Sequence, residues 1–127
     1  MSQEKSFPLL LLVDDDPVLR KALQEIFEFS QYAVVTAGNG KQGLEMLRSM
    51  FQPPDLIISD MVMPDMDGFQ FMQAVQAEEA WHDIPFIFLS GRPRSTLDAK
   101  ELRHIRYVPK PFLVEDLLSE VSNVLSL

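Results

Sequence analysis

The sequence predicts an α/β fold, (βα)5: a doubly wound, five-stranded parallel sheet in the order 2-1-3-4-5 with helices on both faces. Three observations lead there. Short apolar runs alternate with stretches of helical periodicity from one end of the chain to the other. Strands that alternate with helices in this way form parallel sheets covered on both sides. The charged and hydroxyl residues best suited to chemistry directly follow the apolar runs, which places them along one edge of such a sheet.

The elements follow in order. "LLLLV" (9–13) reads as a strand buried on both faces. Asp16 stands as an N-cap and Pro17 as the first helical residue. Val18, Leu19, Ala22, Leu23, Ile26 and Phe27 then recur at helical spacing. "AVVTA" (33–37) is the second strand, and Asn39 caps a helix over 40–51 with Leu44, Leu47 and Phe51 as its apolar face. "PPDLIISD" (53–60) repeats the first pattern: breakers, an apolar strand, then an acid. "MVMPDMDG" (61–68) leads into a third helix that carries Phe69, Met72, Val75 and Gln76. "IPFIFLSG" (84–91) is the fourth strand, and residues 94–103 have weak helical character. "RYVPKPF" (106–112) holds a short strand ending at a lysine. "VEDLLSEVSNVLSL" (114–127) is a final amphipathic helix with Leu117, Leu118, Val121, Val124 and Leu125 inward.

A chain of 127 residues suits one domain over 1–127, with residues 1–6 expected as a flexible terminus. No linker, low-complexity segment or fixed-period repeat interrupts it. Acids outnumber bases 19 to 11, a net charge of -8, and no basic stripe is visible, which argues against direct nucleic-acid binding. The chain has no cysteine, so disulfide and thiolate chemistry are excluded. The longest apolar run, 9–13, is too short to cross a bilayer, and the first residues lack the pattern of a signal peptide. A cytoplasmic location follows as the expectation, for the chain itself or for something larger that contains it.

Parallel strands finish at one edge, and open α/β sheets bind ligands in the crevice outside that edge. The first strand delivers Asp14 and Asp15, the third Asp60, the fourth Ser90 and the fifth Lys110. The second delivers only Ala37 and Gly38, which assigns it to the sheet margin and brings the first and third strands together. Neighbouring strands lie about 4.8 Å apart, so their terminal carboxylates converge. Converging carboxylates either share a proton or bind a hard cation, and all-oxygen donors suit Mg²⁺. With an ammonium and a hydroxyl alongside, these are the parts for handling a phosphoryl group. Taken singly, each residue has an ordinary explanation: Asp16 as a cap, Asp65 and Asp67 as turn residues before Gly68, a serine or a Lys-Pro pair as nothing in particular. The combination carries the inference.

The matches "LLVDDDP", "PDLIISDMVMPDMDG", "FIFLSG" and "YVPKPF", in this order and spacing, resemble a response-regulator receiver domain of two-component signalling, with a flavodoxin-like fold. The resemblance covers essentially the whole chain. It implies that Asp60 is the phosphoacceptor, taking its phosphoryl group from a sensor histidine kinase or a histidine phosphotransfer protein. It implies Mg²⁺ on Asp14, Asp15, Asp60 and the backbone carbonyl of Val62. Ser90 falls on the hydroxyl position that bonds the phosphoryl group, Lys110 on its ion-pair partner with a cis bond to Pro111, and Tyr107 on the switch aromatic. The readout would be the surface of the fourth helix, fifth strand and fifth helix, with homodimerisation on phosphorylation left open. Such a domain catalyses only its own phosphorylation and dephosphorylation and is not otherwise an enzyme.

The chain departs from the family pattern in places. Gly91 replaces the usual alanine, "RHIRY" stands where a Gly-Ala pair is usual, and the stretch from Ser90 to Lys110 is about two residues short. Pro93 falls early in the expected fourth helix, which should therefore be short, shifted or irregular. The resemblance implies that Val62 and Arg92, two past Asp60 and two past Ser90, occupy the positions that face the attacking water in this family, and an apolar Val62 cannot orient it. An aspartyl phosphatase reading of Asp14 and Asp16 is disfavoured by Pro17 and by the absence of room for a cap domain. A pure interaction module is disfavoured by the intact Asp60 and Lys110. An EF-hand reading of "DMDG" lacks the later glutamate.

Overall fold

The computed structural model describes residues 7–91 and 106–126. Within them run β1 (Leu9–Val13), α1 (Pro17–Phe29), β2 (Ala33–Ala37), α2 (Gly40–Ser49), β3 (Leu56–Asp60), α3 (Gly68–Gln76), β4 (Phe86–Ser90), β5 (Arg106–Pro109) and α4 (Val114–Leu125). The strands pair in the order β2-β1-β3-β4-β5, and every pairing is parallel. The helix expected over 94–103 and the terminus 1–6 lie outside the described residues.

Strand alternation divides the interior into two apolar halves. Leu11, Val13, Ile57, Phe86 and Phe88 face the side covered by α2 and α3, where Leu44, Leu47, Phe71 and Val75 meet them. Leu10, Leu12, Leu56, Ile58, Ile87 and Leu89 face the side covered by α1 and α4, against Leu23, Phe27, Leu117 and Val121. Successive side chains of a strand point to opposite faces, so a strand buried on both faces is apolar along most of its length, with polar residues only toward its end. That is why β1, β3 and β4 read as continuous runs.

Helix ends are set by local chemistry. Asp16 Oδ1 accepts from the N–H groups of Val18 and Leu19 at 3.0 and 3.3 Å. Asn39 Oδ1 accepts from the Gln42 N–H at 2.8 Å. Asp67 does more than turn the chain: it forms a capping box with Gln70 and starts α3. Helix α1 stops in a Schellman motif. The Tyr32 N–H bonds the Phe27 carbonyl at 3.0 Å, the Gln31 N–H bonds Glu28 at 3.1 Å, and Gln31 takes a left-handed φ of 71°.

Three expected faces are corrected. Phe51 is fully exposed, because α2 ends at Ser49 and Met50 turns to extended backbone; Met46 and Met50 pack against the core instead. Val18 and Ala22 are exposed, because the face of α1 that meets the sheet runs through Leu19, Leu23, Ile26 and Phe27 and leaves them beside it. In α3 the buried stripe is Gly68, Phe71 and Val75, with Phe69 and Met72 only partly covered and Gln76 in solvent.

Candidate functional site

Strands β1 and β3 are neighbours, with Val13 opposite Ser59, so the residues at their ends come side by side. Asp14 is completely buried. Its Oδ1 accepts from the Asp16 N–H at 2.9 Å, and its Oδ2 from Lys110 Nζ at 3.2 Å. Asp60 is 6% exposed; its Oδ2 accepts from the same Nζ at 3.2 Å and its Oδ1 from the Val62 N–H at 3.4 Å. Lys110 follows β5 directly, tied down by its N–H to the Ser90 carbonyl at 2.7 Å, and the Lys110–Pro111 bond is cis. One ammonium thus bridges two carboxylates from different strands.

Asp15 is exposed and lies beside them: ligand oxygens of Asp14, Asp15 and Asp60 all fall within 4.8 Å of one another. Three carboxylates with one open to solvent fit Mg²⁺, which prefers oxygen donors and keeps several waters.

The charges are coupled. Burial raises the Asp60 pKa above the usual carboxylate value, and the Asp14 charge adds to this; the Lys110 ammonium opposes both without reversing them. Burial alone would lower the Lys110 pKa, but the Asp14 and Asp60 carboxylates outweigh it and hold the pKa above the usual lysine value. Lys110 is therefore a fixed positive charge at neutral pH.

The remaining expected site residues are placed as follows. Ser90 is buried at the end of β4, next to β3. Tyr107 sits opposite Phe88 on β5 and is 8% exposed, with its ring in the apolar half that contains Phe86 and Phe88. The Val62 backbone N–H faces Asp60, and its side chain is half exposed. Gly91 is exposed, and an added Cβ would meet nothing within 4 Å, so the missing alanine costs the site no contact. Arg92 lies outside the described residues.

Two contacts at this edge escaped the sequence reading. Gly68 packs on the Asp60 backbone, and Arg20 reaches from α1 to the Asp14 carbonyl at 2.7 Å. The signal for Arg20 was present: long side chains in the first turn of a helix point back toward its N-terminus, here toward the carboxylates.

Residues 10–122 match the family profile described as response regulator receiver domain. The chain belongs to the response regulator receiver family. It is 33% identical over 122 residues to hybrid signal transduction histidine kinase D of Dictyostelium discoideum, covering 94% of this chain and 8% of that protein. It is 38% identical over 110 residues to the two-component response regulator ORR24 of Oryza sativa subsp. indica, covering 85% of this chain and 17% of that one. The receiver thus spans less than a fifth of the length of these relatives. Among solved structures it superposes on chemotaxis response regulator CheY4 of Vibrio cholerae with a TM-score of 0.83 at 30% identity, over 94% of this chain and 100% of that one. The N-terminal domain of a response regulator receiver protein from Methanoculleus marisnigri gives 0.75 at 31%, over 96% and 99%. Receiver domains are signalling domains of two-component systems, not conventional enzymes, and accept phosphoryl groups from histidine kinases onto an aspartate. No helix among the described residues is long and apolar enough to cross a membrane.

Proposed function

We propose that this receiver, a single domain over 1–127, is a cytoplasmic signalling switch that takes a phosphoryl group on Asp60. The observation that carries this is Asp60 itself: a nearly buried carboxylate at a strand end, between a second carboxylate and a bridging ammonium. An Asp60 oxygen forms a bond to phosphorus as the N–P bond of a phosphohistidine breaks, and the departing imidazole takes a proton. Lys110 faces the developing charge and stays protonated throughout. Asp14, Asp15, Asp60 and the Val62 carbonyl are the residues that would hold Mg²⁺, which when bound offsets charge on the phosphoryl oxygens. Ser90 donates its hydroxyl to the phosphoryl group, and Tyr107 responds to the space this opens, biasing a two-state equilibrium read at the surface of β5, α4 and the helix expected over 94–103. The donor is a histidine kinase or a histidine phosphotransfer protein, and the partner surface is protein, not nucleic acid or membrane.

The test is incubation with acetyl phosphate and Mg²⁺, followed by intact mass and by size. Native protein should gain one phosphoryl group, and Asp60→Asn should not. No gain in the native protein, or an equal gain in Asp60→Asn, would overturn the assignment.

A further inference from the structure

We propose that Arg20 is a positioning residue for the cation site, acting through the backbone of Asp14. The proposal rests on the reading of Asp14, Asp15 and Asp60 as that site.

Asp14 is held at every polar atom. Its carboxylate binds the Asp16 N–H and Lys110, its N–H donates to the Ala37 carbonyl at 3.2 Å, and its carbonyl accepts from Arg20 Nη1 at 2.7 Å. A peptide group is planar, so fixing the Asp14 carbonyl fixes the plane that leads into Asp15. No hydrogen bond among the described residues holds the Asp15 carboxylate itself. Its aim toward Asp14 and Asp60 therefore depends on backbone direction, and Arg20 fixes one of the two peptide planes that set it, the other being held by the Asp16 N–H on Asp14 Oδ1.

The opposite wall of the Arg20 niche supports the same role. A Cβ on Gly38 would stand 3.3 Å from Arg20 Nη1 and 3.0 Å from Gln42 Oε1, the oxygen that accepts the Gly38 N–H at 2.8 Å. None of the described glycines has a positive φ, so glycine at 38 serves space and not backbone conformation. The β2–α2 turn leaves room for a guanidinium that crosses to β1.

Charge and position predict opposite signs. A guanidinium beside a cation site repels the cation, so removing a mere charge tightens Mg²⁺ binding. Removing a positioning residue weakens it, by about tenfold for groups that orient metal ligands.

The experiment measures Mg²⁺ affinity by calorimetry in the native protein, Arg20→Gln, Arg20→Lys and Gly38→Ala, with melting temperature and the initial rate of acetyl-phosphate labelling at saturating Mg²⁺. Arg20→Gln should raise the Kd for Mg²⁺ about tenfold, Arg20→Lys by less, and saturating Mg²⁺ should restore the labelling rate. Gly38→Ala, which crowds Arg20 without removing it, should weaken Mg²⁺ binding in the same direction. Unchanged or tighter binding in folded Arg20→Gln overturns the proposal, as does a rate that saturating Mg²⁺ does not restore. If Arg20→Gln does not fold, native affinity in Gly38→Ala overturns it. Absence of Mg²⁺ binding in the native protein would instead overturn the underlying site assignment, and is read before any variant.

Discussion

Gly68 lies so close to Asp60 that a Cβ on it would stand 2.8 Å from the Asp60 carbonyl oxygen and 2.9 Å from the Met61 Cα. The contact is with backbone, which cannot swing aside as a side chain would. Helix α3 therefore begins against the residue proposed to carry the phosphoryl group. Gly68→Ala should destabilise the domain by about 1–3 kcal/mol, the range for overpacking, and should slow acetyl-phosphate labelling. Urea unfolding and labelling rate check this; native stability in the variant would show that the loop absorbs the methyl.

Lys110→Met should separate binding from chemistry. Lys110 occupies the space between Asp14 and Asp60 with a like charge to any incoming cation. Without it, Mg²⁺ affinity should rise while labelling of Asp60 falls by two or more orders of magnitude, about the worth of one preorganised charge contact. Calorimetry and labelling on the same sample decide the point. A parallel fall in both would mean that the lysine mainly holds the pocket together.

The raised Asp60 pKa has a signed consequence for stability without metal. The folded state holds the Asp60 proton more tightly than the unfolded state, so ionisation of Asp60 weighs against folding. The penalty is full above the folded pKa and disappears below the ordinary carboxylate value. In chelator, Asp60→Asn should therefore melt higher than native protein at pH 7, with the gap closing as the pH falls through that window. Excess Mg²⁺ should narrow or reverse the gap, because the native protein gains a ligand that the variant binds less well. Lys110 has the opposite sense: its stabilising charge is present at neutral pH and lost only as alkali passes its raised pKa. Thermal melts from pH 4 to pH 8 test the Asp60 prediction.

Gln31 ends α1 in the left-handed conformation at φ 71°, where a Cβ is unfavourable. Gln31→Gly should stabilise the domain by about 0.5–1 kcal/mol, less than the strain relieved because glycine also loosens the unfolded chain. The Schellman bonds to Phe27 and Glu28 and the edge-on contact of Tyr32 with Phe27, 6.3 Å between centroids, should persist. A loss of stability would place the side chain of Gln31 in an unsuspected role.

Val62 is half exposed and apolar, beside Asp60. It offers no side-chain donor or acceptor to aim a water at an acyl phosphate. Dephosphorylation should be slow, with a lifetime of minutes or longer, and Val62→Gln should shorten it. Decay followed by mass spectrometry checks this, and a native half-life of seconds contradicts it.

Much of this arrangement was legible in the residues. The strand order is readable from which strand ends carry chemistry: Ala37 and Gly38 assign β2 to the margin, where the sheet has it. The Asp16 and Asn39 caps were readable because a short polar side chain before a periodic stretch has few other uses. Phe51 was misread because periodicity does not reveal where a helix stops; Met50 and the prolines after it decided that. Phe71 was passed over because in nine residues of mostly apolar α3 more than one stripe fits. The bridging of Asp14 and Asp60 by a single ammonium needs distances between residues remote in sequence, which no local pattern contains.

The two apolar halves have a consequence for how such a domain diversifies. Among the described residues each half packs against its own pair of helices, and the sheet stands between them as a partition. The carboxylates sit at the partition's rim, where Asp60 ends β3 and Asp14 follows β1. Repacking under α2 and α3 can then drift independently of repacking under α1 and α4, provided that Gly68 and Arg20, which tie those layers to the acids, are kept. A lineage built on this plan can exchange the faces it shows to partners while inheriting its chemistry unaltered.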